Sequence, residues 1–118
     1  MRILVAEDES LIALDLVRAL EDAGCTVIGP VNRVQDVPVL AKTEQPDGAL
    51  LDVNLRGNQI FEVLPELQSL GVKVVLTSGY DDATLFPPAY RSLPRVTKPF
   101  DERSLRQVCA AHFGGAQI

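Results

Sequence analysis

Four residues have the types and spacing to do chemistry together: Glu7, Asp8, Asp52 and Lys98. Each stands where a short strand-like run ends. Ile3-Leu4-Val5-Ala6 precedes the acidic pair, Ala49-Leu50-Leu51 precedes Asp52, and Arg95-Val96-Thr97 precedes Lys98-Pro99. If the runs are strands of an open parallel sheet, their C-terminal ends share one edge, where ligands bind. Three carboxylates and one ammonium would meet there. At ~5 Å and an effective dielectric of about 20, each pair of like charges costs about 3 kcal/mol. A dication would bring the cluster to neutrality. Oxygen-only ligands select a hard cation, and Mg²⁺ is the expected one. A carboxylate beside Mg²⁺ can attack phosphorus and become an acyl phosphate. Such a transfer needs in-line positioning and neutralised phosphoryl oxygens. Lys98 supplies one such charge. Thr77, at the end of Val72 to Thr77, supplies a hydroxyl, and Ser78 takes that role if the strand ends one residue later.

These residues are useful only if the chain between them folds as alternating strands and helices. Such a pattern is present. Residues 2–6 read as a fully apolar strand. Residues 9–22 read as a helix with Leu11, Leu14, Val17 and Leu20 toward the core, ended by Gly24. Thr26 to Gly29 is a second strand. Arg33 to Gln45 is a helix that must start late or bend, because Pro38 is tolerated only in a first turn. After the turn Pro46-Asp47-Gly48, residues 49–53 form the third strand. Ile60, Val63, Leu64 and Leu67 mark a third helix with an irregularity at Pro65, and Gly71 closes it. Residues 72–77 form a fourth strand. Ser78 to Pro94 is the least regular stretch, since no undisturbed helix runs through Pro87-Pro88. Residues 95–97 form a fifth strand. Asp101 caps a last helix that turns Leu105, Val108, Cys109 and Phe113 inward.

Length and charge narrow the function classes. A chain of 118 residues suits one domain, which buries roughly two-thirds of its unfolded surface. The net charge of −5, without a basic cluster, argues against a nucleic-acid binder. No apolar run reaches membrane-spanning length, and the start lacks a signal-peptide pattern. Cys25 and Cys109 lack metal spacing and read as small buried hydrophobes in a reducing compartment. A cytoplasmic location is therefore expected. His112 is given no catalytic role. Tyr80, Phe86 and Tyr90 are open between core and partner contacts.

The four run ends, read in order, resemble the receiver domain of a two-component response regulator of the chemotaxis-regulator type. The matching pieces are Leu4-Val5-Ala6-Glu7-Asp8-Glu9, Pro46-Asp47-Gly48-Ala49-Leu50-Leu51-Asp52, Val74-Val75-Leu76-Thr77-Ser78-Gly79-Tyr80 and Thr97-Lys98-Pro99-Phe100. The resemblance covers essentially the whole chain. It implies an α/β fold with a doubly wound five-stranded parallel sheet in the order 2-1-3-4-5, flavodoxin-like, with an irregular fourth helix. One receiver domain over residues 1–118, with no output domain, is the expected organisation. Carried onto these positions, Asp52 is the phosphoacceptor, Glu7, Asp8, Asp52 and the Asn54 carbonyl hold Mg²⁺, Thr77 is the switch hydroxyl and Lys98 binds the phosphoryl group. The implied donor is a sensor histidine kinase or a histidine phosphotransfer protein. The signal would leave by contact with a downstream protein or stop at a phosphate sink. Lys98-Pro99 resembles the family's usual cis peptide.

The chain departs from that pattern in three places. Glu7 stands where Asp is commoner. Arg56 replaces a frequent proline, as in receivers with Asp-x-Asn-Leu-x-Gly loops. Arg95 stands where a switch aromatic usually moves inward, which implies an altered fourth-helix face. Such a chain resembles single-domain receivers that serve unorthodox sensor kinases, including alphaproteobacterial stress responses. The Arg95 departure motivates an alternative, a degenerate receiver that binds partners without phosphorylation. A haloacid dehalogenase-type phosphatase is a third reading, but it needs a second Asp two residues after the nucleophile, and Asn54 is there.

Overall fold

The computed structural model describes residues 1–79 and 86–113. Five parallel strands form the central sheet: β1 (Arg2–Ala6), β2 (Thr26–Val31), β3 (Gly48–Asp52), β6 (Lys73–Ser78) and β7 (Arg95–Thr97), in the order β2-β1-β3-β6-β7. Two short antiparallel strands, β4 (Asn54–Leu55) and β5 (Asn58–Gln59), form a separate hairpin just past β3. With the hairpin set aside, the sheet order is the expected 2-1-3-4-5.

Strands buried on both sides carry apolar residues at every position, and the side-chain period of two sorts them onto two faces. Ile3, Val5, Leu50, Val75 and Val96 face α1 (Ser10–Asp22) and α4 (Glu102–Phe113), whose Leu16, Leu20, Leu105, Cys109 and Phe113 complete that core. Leu4, Ala6, Ala49, Leu51, Val74 and Leu76 face α2 (Asp36–Glu44) and α3 (Leu64–Ser69). On the first side α4 comes very close to β3. A Cβ on Gly48 would lie 2.6 Å from Phe113 ring carbons, so only glycine fits there.

Most expected boundaries are found. Pro38 lies in the first turn of α2, which begins late, at Asp36. The third helix is divided: residues 60–63 form a 3₁₀ turn, and α3 starts at Leu64 with Pro65 in its first turn. Gly24 follows α1 with φ 92°, and Asp101 Oδ1 accepts a hydrogen bond from Ser104 N–H at 2.6 Å, capping α4. Two expectations need correction. The inward face of α1 is Ile12, Ala13, Leu16, Ala19 and Leu20, whereas Leu11 and Leu14 are exposed. Strand β2 continues past Gly29 to Val31, across a register shift against β1. Between β6 and β7 the helical structure among the described residues is one 3₁₀ turn, Pro88–Tyr90. The remainder of the irregular fourth-helix expectation, with Tyr80, lies at residues 80–85, outside the described residues.

Phe86 and Tyr90 are settled as packing residues. The buried Phe86 ring meets Phe61 edge-on at 5.1 Å, and Tyr90 stacks on Phe61 at 5.8 Å. His112 is exposed on α4. Both cysteines are buried thiols, and burial pushes Cys109 up to about 12. Among the described residues, no helix is long and apolar enough to cross a membrane.

Candidate functional site

The site side chains continue the α1/α4 face past the strand ends. Asp52 lies two residues after Leu50, Thr77 two after Val75, Glu7 two after Val5, and Lys98 two after Val96. Asp52 and Thr77 are also register partners across β3 and β6. The same alternation separates the two candidate hydroxyls. Strand β6 does run to Ser78, but Ser78 follows Leu76 on the opposite face. Thr77 therefore shares the face of Asp52. Its Oγ1 is buried and has no hydrogen-bond partner among the described residues.

Glu7, Asp8 and Asp52 each offer a carboxylate oxygen, and these oxygens lie within 4.8 Å of one another. Lys98 Nζ bridges two of the acids, at 2.7 Å from Glu7 Oε1 and 2.8 Å from Asp52 Oδ2. The Lys98-Pro99 peptide is cis. Backbone donors hold one oxygen of each acid. Glu9 N–H donates to Glu7 Oε2 at 3.0 Å, Asn54 N–H to Asp52 Oδ1 at 3.1 Å, and Arg56 N–H to Asp8 Oδ2 at 2.9 Å. A cavity of about 220 Å³ opens above them, lined by Asp8, Asp52, Asn54, Gly57 and Lys98 among others.

The electrostatics fit a centre short of positive charge. Burial pushes Glu7 up to about 7 from its ordinary 4.5, and the Asp52 charge adds to this, while Lys98 and Glu9 N–H oppose it. Burial alone would also raise Asp8, but the Arg56 N–H and its other partners outweigh it and hold the group below its usual range. Burial would lower Lys98, and the facing Asp52 and Glu7 more than offset it, so its pKa is raised and it stays charged. Three clustered carboxylate oxygens and a buried, unpaired hydroxyl suit a hard divalent cation and an oxyanion.

The raised Glu7 has a stability consequence. Its folded value lies above its unfolded one, so its contribution is complete below pH 4.5 and is lost as pH rises through about 7. The urea midpoint of the metal-free protein is expected to fall between about pH 5 and about pH 8. Glu7→Gln is expected to flatten that slope. An equal slope in the variant would assign it to other groups.

The chain matches the family model described as the response regulator receiver domain over residues 3–110. It belongs to that family. The solution structure of SdrG from Sphingomonas melonis Fr1 is 34% identical, with a TM-score of 0.79, and 94% of each chain is covered. The signal receiver domain of a modulated diguanylate cyclase from Desulfovibrio desulfuricans G20 is 25% identical with a TM-score of 0.83, covering 96% of this chain and 93% of that one. Among curated proteins, the transcriptional regulatory protein PdtaR of Mycobacterium tuberculosis is 33% identical over 65% of this chain and 38% of its own. The phyllosphere-induced regulator PhyR of Methylorubrum extorquens is 28% identical over 90% of this chain and 41% of its own. The chain thus spans less than half the length of these curated relatives. It is a two-component receiver domain with an acidic cluster at the expected strand ends.

Two features of this receiver were not read from the sequence. One is the hairpin that delivers the Arg56 N–H to Asp8. The pair Arg56-Gly57 between Leu55 and Asn58 was its available signal, since an x-Gly pair suits a two-residue turn. The other is the place of Arg95. Its guanidinium carbon lies 4.9 Å from the Phe86 ring centre, a cation–π contact. Arg91 Nε also donates to the Phe86 carbonyl at 3.1 Å. The position that usually carries a mobile ring carries instead a cation resting on one.

Proposed function

We propose that this receiver accepts a phosphoryl group on Asp52 from the phosphohistidine of a sensor histidine kinase or a phosphotransfer protein, in a Mg²⁺-dependent reaction. The observation carrying the reading is the cluster itself: three carboxylate oxygens within 4.8 Å, with Lys98 Nζ 2.8 Å from the acceptor. An Asp52 oxygen forms a bond to phosphorus as the donor's N–P bond breaks, and the leaving imidazole keeps the electron pair and takes up a proton. Glu7, Asp8, Asp52 and the Asn54 backbone carbonyl are the metal-holding set. Bound Mg²⁺ would neutralise phosphoryl oxygens and reduce their repulsion from the acceptor. Thr77 Oγ1 donates to a phosphoryl oxygen, which ends its unpaired state. Lys98 exchanges its contact with Asp52 for one with the incoming group.

The product adds a phosphoryl group of about −1.5 to −2 charge at neutral pH. This charge is the signal, read by a downstream protein through contact or held as a phosphate sink. The likeness to a transcriptional regulatory protein and to a phyllosphere-induced regulator supports a regulatory output. No outside substrate is turned over; the chemistry is self-phosphorylation and slow loss. A cytoplasmic location and no part in nucleic-acid or membrane binding complete the proposal. The contact of Arg95 with Phe86 favours a second reading, a partner-binding module that works without phosphate. Acetyl phosphate separates the two. With Mg²⁺, intact-mass measurement is expected to find one added phosphoryl group, lost on hydroxylamine treatment, and with a chelator none. An unmodified protein with Mg²⁺ and every tested donor would favour the second reading.

A further inference from the structure

The hairpin that follows the acceptor has a tighter geometry than a passing loop requires. Asn54 pairs with Gln59 and Leu55 with Asn58, leaving Arg56 and Gly57 as a two-residue turn. Both have positive φ, 52° and 83°. A turn with two positive φ values matches the twist of the flanking strands, and Asn-Gly is its preferred pair. Arginine is not a preferred residue for that first position, and a left-handed non-glycine conformation is disfavoured unless its surroundings impose it. Here the conformation is held from both ends. Leu55 and Ile60 are fully buried, and Ile60 N–H donates to the Val53 carbonyl at 2.8 Å. At the tip, Arg56 N–H donates to Asp8 Oδ2 at 2.9 Å. At the base, Asn54 N–H donates to Asp52 Oδ1 at 3.1 Å. One small unit therefore grips one oxygen on each of two carboxylates, Asp8 just past β1 and Asp52 at the end of β3.

We propose that the β4–β5 hairpin is the positioning element of the acidic centre, and that the Arg56 backbone N–H, not its side chain, presets Asp8 for the divalent cation. The inference rests on the metal-dependent reading above. A hydrogen bond to a carboxylate ligand fixes its rotamer before the ion arrives. Loss of such an outer partner typically weakens metal binding 10- to 100-fold. The Arg56 side chain is exposed.

The test is Mg²⁺ titration of the whole chain, read from amide shifts, with no phosphodonor present. Gly57→Val places a β-branched residue at φ 83°, where a Cβ meets nothing within 4 Å, so it strains the turn without a direct clash. Its Mg²⁺ Kd is expected to rise about tenfold, with a similar rise when the Leu55–Arg56 amide is replaced by an ester that lacks the N–H. Arg56→Asn keeps the N–H and suits the turn, so it is expected to hold the wild-type Kd. Wild-type affinity in both Gly57→Val and the ester would overturn the proposal. An Arg56→Asn loss as large as that of the ester would also overturn it, by assigning the effect to the side chain. Wild-type protein whose shifts do not respond to Mg²⁺ would overturn the metal reading, and this inference with it.

Discussion

Asp52→Asn is expected to lower phosphoryl acceptance by about three orders of magnitude or more, the scale seen when a nucleophile is removed. The side chain keeps its shape and one of its acceptor atoms. It loses the anionic oxygen that would bond to phosphorus. The fold should not suffer. Asp52 contributes to the repulsion that raises Glu7, and Lys98 keeps its contact with Glu7 at 2.7 Å. The metal-free variant is therefore expected to unfold at the same urea concentration as wild type or a higher one. Those two readouts together are discriminating. Lost labelling with retained stability assigns the chemistry to Asp52. Retained labelling would place the acceptor elsewhere, and Asp8 would be the first residue to test. Lost stability would mean that Asp52 is chiefly a structural partner of Lys98.

The acidic centre was legible because strand ends are legible. A fully apolar run that stops at a charge marks both a strand and its rim, and the period of two then assigns the face. Glu7, Asp52, Thr77 and Lys98 each fall two residues beyond a core residue of the α1/α4 side. Helix faces were harder. Helix α1 is apolar over much of its circumference, and its leucine spacing alone favours a face with Leu11 and Leu14. The true face uses Ala13 and Ala19, small residues that let the helix approach the sheet and that weigh little in a hydrophobic count. The exposure of Leu11 and Leu14 is a surface property that periodicity alone does not reveal. Strand β2 runs through Gly29-Pro30, although glycine and proline usually end strands. An edge strand with a register shift accommodates both. The hairpin escaped because two-residue strands leave almost no periodic signal. The Arg95 contact escaped for a different reason: Phe86 and Arg95 are brought together only by tertiary packing.

Lys98→Met is expected to be among the most destabilising single changes at the site, and its cost should depend on pH. Methionine keeps the apolar stem and removes the ammonium. The lysine side chain is 15% exposed, that of Glu7 0% and that of Asp52 5%. Removing one partner of a buried ion pair typically costs about 3–5 kcal/mol, because the other charge is left buried and unmatched. Glu7 has an escape: it can take up a proton. Burial already raises it to about 7, and Lys98 is one of the groups holding it down. Without Lys98 its folded value moves higher still. Stability contributed by the protonated form is then present at acid pH and lost as pH rises through a window shifted above 7. The variant should lie close to wild type at about pH 5.5 and fall well below it at about pH 8, by about 2–4 kcal/mol in metal-free buffer. Mg²⁺ should recover part of the difference at pH 8, since binding to the folded state alone adds stability. Urea unfolding at both pH values, with and without Mg²⁺, measures all of this. Equal midpoints at pH 8 would mean that solvent already screens the three charges, and that Lys98 matters only once a phosphoryl group arrives.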